Sequence, residues 1–188
     1  MRTPTKAAVF FLFLVFSVPV VWADKYDDAI KIFKNAGESG TFFENSYGYA
    51  LFPSIGKGGI GLGGAYGEGR VYTAGVHVGD TSMTQVTVGW QLGGQVYSQI
   101  IFFQDQRAFD EFSGGNFEFG AQATAVAITA GASATASTTG SSAGLSGGKN
   151  NANTVGNYQK GLAVFSVAKG GLMYEASIGG QKFSYTPK

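Results

Sequence analysis

Residues 59–64 read Gly-Ile-Gly-Leu-Gly-Gly and satisfy the spacing G-x-G-x-x-G. In a dinucleotide site those glycines open a helix whose first amides face a pyrophosphate. Here the chain continues Ala65-Tyr66-Gly67-Glu68-Gly69-Arg70, which is too glycine-rich to open a stable helix. Gly56-Lys57 lacks the hydroxyl residue and the spacing of a phosphate loop. His77 is the only histidine and cysteine is absent, so a conventional zinc site has no ligand set. His77 sits in the alternation Ala-Gly-Val-His-Val-Gly and reads as a strand residue on a polar face. No serine lies in a G-x-S-x-G context. Asp27/Asp28 and Asp110/Glu111 read as surface pairs on helices, not as the two carboxylates of a glycosidase. The expectation is a chain with no catalytic residue, no metal and no cofactor.

The chemistry that remains belongs to cations beside glycine. Lys57, Arg70, Lys160 and Lys169 border glycine-rich stretches, where successive backbone amides can form an anion nest and a neighbouring cation adds charge. A lipid phosphate is the natural guest. A second set lies in residues 24–39. Tyr26, Ala29, Ile30, Phe33 and Ala36 follow helical spacing, with Lys25, Lys31 and Lys34 off that stripe. Asp24, Asp27 and Asp28 crowd the first turn, where the helix dipole favours negative charge, and Gly37 or Gly40 is expected to end the helix. Such a helix packs on a sheet. Alternatively it leaves that sheet and lays Tyr26, Ile30 and Phe33 on a membrane, with the three lysines flanking.

The elements that position these groups are mostly strands. Glycine accounts for 30 of 188 residues, charged residues for 13% and aromatics for 14%. That balance suits a β-rich fold with close backbone contacts and opposes disorder. From residue 47 the period changes to two, and alternating glycines remove one face of side chains, allowing close approach and curvature. Pro53 is expected to confine its strand to an edge or its segment to a strand end. Val86, Val88, Trp90 and Leu92 alternate with Gln85, Thr87, Gly89 and Gln91, and residues 100–103 form the continuous apolar run of a strand covered on both faces. Residues 105–112 read as a short helix with Asp105 as N-cap, Phe109 and Phe112 inward and Gly114 as its stop. Residues 137–156 are poor in large apolar side chains and are expected to be a flexible Ser/Thr/Gly loop. Two or three strands close the chain, turning at Lys169-Gly170-Gly171 and Gly179-Gly180.

Residues 1–23 have the form of a secretory signal. Arg2 and Lys6 precede an apolar run at 7–16, and Val21-Trp22-Ala23 offers a small-residue cleavage site. The run is short for a transmembrane helix, and without cysteine a lipid anchor on that residue is excluded. The expected product, residues 24–188, is one domain with 11 basic and 12 acidic residues, a balance that gives no cationic surplus for nucleic acid.

The order of these parts resembles the SYLF domain family over nearly all of 24–188. The pieces are the amphipathic helix, the stretch YGYALFPSIGKGGIGLGGAYGEGRVY, the block TVGWQLGGQVYSQIIFFQDQRAFDEF, FEFGAQATAVA, and the closing YQKGLAVFSVAKGGLMYEASIGG. Where the family often carries a Trp-Ser-x-Pro step, this chain reads Thr81-Ser82-Met83-Thr84. The resemblance implies lipid binding: members with SH3 domains bind phosphoinositides, helped by the N-terminal helix, and fungal members also bind actin. The expected fold is α+β, a curved, mostly antiparallel, barrel-like sheet with the N-terminal helix and a short second helix beside it. The expected function is an exported module, periplasmic, outer-membrane-associated or secreted, that binds anionic phospholipid and no nucleic acid, with actin a partner only by family analogy. An envelope structural or protein-interaction module and an integral outer-membrane β-barrel are the competing readings.

Overall fold

The computed structural model describes residues 24–60, 62–88, 94–120, 126–128, 158–169 and 178–188. The expected signal at 1–23, the loop at 137–156, Trp90, Leu92 and the glycine turn at 170–171 lie outside them. Helix α1 (Lys25–Asn35) starts where the acidic turn predicts, with the Asp24 carboxylate accepting from the Tyr26 amide at 3.2 Å. It ends earlier than the expected 39. Ala36 leaves helical geometry, and two one-turn helices, α2 (Gly37–Gly40) and α3 (Phe42–Asn45), follow. The Ser39 hydroxyl donates to the Phe33 carbonyl at 2.6 Å, satisfying one of the acceptors that a helix end leaves open.

Strands β1 (Gly48–Ile60), β2 (Leu62–Thr73), β3 (Val76–Val88) and β4 (Gly94–Phe103) form an antiparallel run; α4 (Gln106–Ser113), β5 (Phe117–Glu118), β6 (Val126–Ile128), β7 (Leu162–Ala168) and β8 (Gln181–Pro187) complete the order. The sheet reads β5-β8-β3-β2-β1-β4-β7-β6. Every pairing is antiparallel except β6 with β7. Pro53 corrects the sequence expectation: it lies inside β1, a central strand, not at an edge or a strand end. The register of β1 slips there against both neighbours, and such a bulge is where a sheet interior tolerates proline. Ser98 donates to the Pro53 carbonyl at 2.8 Å, bonding a group the bulge displaces.

Alternation sorts the sheet into two faces, each with its own core. The inner core gathers Phe52, Ile55, Met83, Ile101, Phe103 and Phe183 around Phe112 of α4. The outer core sets Tyr26, Phe33 and Phe42 of the N-terminal helices on Leu51, Ile100, Phe102 and Phe165. This accounts for the continuous apolar runs in β4 and β7, which are buried on both sides.

The sheet is curled into a half-barrel. Gln99 of β4 and Gln181 of β8 stand four strands apart, roughly 19 Å in a flat sheet. Their carboxamides nevertheless exchange hydrogen bonds at 2.9 and 3.2 Å across the interior. Glycines permit the curl. A Cβ on Gly69 would stand 2.7 Å from the Phe52 ring, and one on Gly67 would stand 2.6 Å from Ile55. The close-packing role expected of the glycine stretch is therefore met on the inner face of β2.

Candidate functional site

The four cations expected beside glycine turns do not converge. Arg70 is within β2, not at a turn. Its guanidinium meets the Asp24 carboxylate at 2.6 Å and lies 4.0 Å over the Tyr26 ring. The Asp24 carboxyl is held below its ordinary pKa, first by the Tyr26 amide and then by Arg70. Lys160 occupies a tight turn before β7, with φ 51, close to Arg107 of α4 through Gly161. Lys57 and Lys169 are at the opposite end of the strands. Lys57 pairs across from Gln95 of β4, and the Lys169 amide donates to the Val96 carbonyl at 2.8 Å. Only β4 separates these two backbones, roughly 10 Å.

The helix residues expected at a membrane face the sheet. Phe33 is fully buried and Tyr26 is 6% exposed, with Ile30 packed beside them. Burial raises the Tyr26 pKa. Lys25, Lys31 and Lys34 remain on the exposed side; Lys31 pairs with Asp28 at 3.6 Å, and Lys34 lies 5.4 Å over Phe43. His77 is bonded to Asp80 at 3.0 Å.

A different surface emerges at the Lys57 end. Beyond the helices no described residue covers the outer face, and Leu62, Tyr66, Val86 and Val96 are 64%, 54%, 73% and 41% exposed. They occupy neighbouring positions. Gly56 lies opposite both Tyr66 and Val96, and Gly64 lies opposite Val86. The floor between them is glycine backbone, and a Cβ added at Gly56 would meet nothing within 4 Å. The alternation around residue 86 is therefore real but opposite in sense to a soluble strand. Gln85 is 4% exposed while Val86 projects outward. Among the described residues from the Tyr66 row to the strand ends, the charges are Lys57, on the inner face across from Ala65, and Lys169, Lys182 and Glu118; Glu118 pairs with Lys182 at 3.4 Å, and one row further back Glu68 accepts from the Tyr66 hydroxyl at 3.2 Å.

Behind this surface the interior is polar. Gln85, Gln99, Gln181 and the Tyr97 hydroxyl cluster inside the curl, with Gln85 Oε1 lacking a partner among the described residues. A groove of about 270 Å³ between α1 and β8 has Tyr26, Tyr66, Glu68, Asp80, Ser82 and Ser184 in its walls. Its two carboxylates oppose an anionic headgroup. The described residues hold no group of His, Cys, Asp and Glu that could bind a metal, and no described helix is long and apolar enough to cross a membrane.

The curled sheet carries helices on one half of its outer face, and the described residues assemble no catalytic constellation. Residues 84–186 match the family model Ysc84, described as Las17-binding protein actin regulator, and the chain belongs to this SYLF family. The family is one of non-catalytic binding domains, and membership supports a lipid-binding type of domain. The chain is also similar to the Beta cell expansion factor A of Aeromonas veronii, with 29% identity over 158 residues. That match covers 82% of this chain and 51% of the relative, so the chain spans about half the length of the relative.

Proposed function

We propose that this chain is an exported, non-catalytic module that binds anionic membrane surfaces. The observation that carries the reading is the outer face beyond the helices, where Leu62, Tyr66, Val86 and Val96 are exposed together, with Lys169 across from Val96. A cation near an anionic bilayer contributes about 1 kcal/mol. Full burial of a leucine or valine contributes roughly 1.5–3 kcal/mol. Together these suffice for reversible, salt-sensitive binding without a deep pocket. The pattern in residues 1–23 supports export, so the lipid met is periplasmic, outer-membrane or extracellular. An integral outer-membrane barrel needs an apolar band facing lipid around its outside; here α1 to α3 occupy the outside of β1, β4 and β7.

Co-sedimentation with neutral and anionic vesicles, at low and high salt, tests the proposal. Binding to anionic vesicles that weakens with salt is expected. A folded protein that stays in the supernatant with every vesicle would sink it and favour a protein partner.

A further inference from the structure

We infer that the end of the β1–β2 hairpin, with the adjoining outer face of β3 and β4, is the part that enters an anionic bilayer, while α1 stays clamped to the sheet. This rests on the lipid-binding reading above and adds its orientation.

Backbone pairing makes the hairpin fit for the task. β1 and β2 pair as far as Gly59↔Gly63 and Ile60↔Leu62, β2 pairs with β3 to Leu62↔Val88, and β1 pairs with β4 to Gly58↔Gly94. An edge entering lipid with unbonded amides is heavily penalised, and the hairpin arrives flanked on both sides, by β4 as far as Gly58 and by β3 as far as Leu62. Leu62 stands ten residues beyond Tyr72, the β2 residue packed in the outer core with α1. That is roughly 33 Å of strand; α1 reaches part of the way along it, pairing Asp24 with Arg70 and sharing a groove with Tyr66, which leaves four residues, roughly 13 Å, between that groove and Leu62.

Charge separates the two candidates further. The first turn of α1 carries Asp27 and Asp28 behind the N-cap Asp24, and these three offset the exposed Lys25, Lys31 and Lys34, so the helix brings no cationic surplus to an anionic surface. The outer face beside the hairpin offers Lys169, across from Val96, instead. Insertion of α1 would also strip the cover from Leu51, Ile100, Phe102 and Phe165. Tyr26 and Phe33 would only exchange one apolar environment for another, with nothing gained to offset that exposure.

The chain has no cysteine, so Leu62→Cys and Lys31→Cys each accept an environment-sensitive dye at one place. Vesicles of phosphatidylglycerol mixed with phosphatidylcholine are the probe. Blue-shifted, brighter emission at 62 with no change at 31 is expected. Emission that responds at 31 and stays silent at 62 overturns the inference. A second pair of variants needs no label. Leu62→Asp with Val86→Asp should weaken sedimentation about tenfold at an unchanged thermal midpoint, whereas Lys31→Glu with Lys34→Glu should leave it unaltered. The reverse result overturns the inference. The two failures are distinguishable: an unlabelled protein that never sediments defeats lipid binding itself, whereas one that sediments with a silent dye at 62 defeats only the orientation.

Discussion

The outer face of this sheet has two halves that use similar residues to opposite ends. Toward α4, Leu51, Ile100, Phe102 and Phe165 are sealed beneath α1 to α3. Toward the β1–β2 hairpin, Leu62, Tyr66, Val86 and Val96 stand exposed between glycines. The strands themselves are continuous through both halves. Apolar side chains on a strand therefore do not announce whether protein will cover them; that depends on where the helices reach. The covered half carries stability, and the exposed half is where the proposed recognition would act.

The largest test of this contrast compares one residue from each half. Phe33 is fully buried at the helix–sheet contact, and Phe33→Ala is expected to cost about 3–5 kcal/mol in chemical denaturation. Leu62→Ser, at a 64% exposed position, should change stability by no more than about 0.5 kcal/mol while reducing vesicle binding. Equal losses of stability would mean that the hairpin end is covered in solution and is not a free surface.

A smaller effect separates glycines on the two faces. Gly69→Ala drives a Cβ to 2.7 Å from the Phe52 ring, and such overpacking costs about 1–3 kcal/mol. Gly56→Ala projects into open space and should change stability by less than about 1 kcal/mol, with a gain through the unfolded chain the expected direction. A destabilising Gly56→Ala would show that something closes over the trough between Tyr66 and Val96.

The same two faces explain what the sequence could disclose. Helix α4 was legible throughout, because its signals are local. Asp105 caps the Ala108 amide at 2.9 Å, Phe112 is buried, and Gly114 follows the last turn. The curved, mostly antiparallel sheet and the packing use of the β2 glycines were legible for the same reason. Pro53 was misleading because a bulge in a central strand needs knowledge of both neighbours. The bare surface was invisible because alternation has a period but no sign. Nothing local says that Gln85 turns inward and Val86 outward; Gln181, the neighbour of Gln85 in β8, lies 96 residues along the chain. Lys57 and Lys169 were identified singly, but their proximity depends on β4 pairing with both β1 and β7.

The smallest expected effect concerns the clamp that separates the halves. Asp24 caps α1 and pairs with Arg70, yet its side chain is 41% exposed, so screening keeps the ion pair weak. Asp24→Ala should cost about 1 kcal/mol, mostly as a lost N-cap. The sign of its pH dependence follows from the lowered pKa. A carboxylate whose folded pKa is depressed adds stability above its unfolded value, here 3.8, and that stability disappears as pH falls through the depressed folded value. The difference in thermal midpoint between the parent and Asp24→Ala should therefore persist from neutrality down to about pH 4 and shrink below it. A difference that does not change with pH would mean that the Asp24 charge contributes nothing. In either case Phe33, with far more apolar contact than Asp24 has charge, dominates the hold on α1; this is why the helix is expected to remain on the sheet when the hairpin meets a membrane.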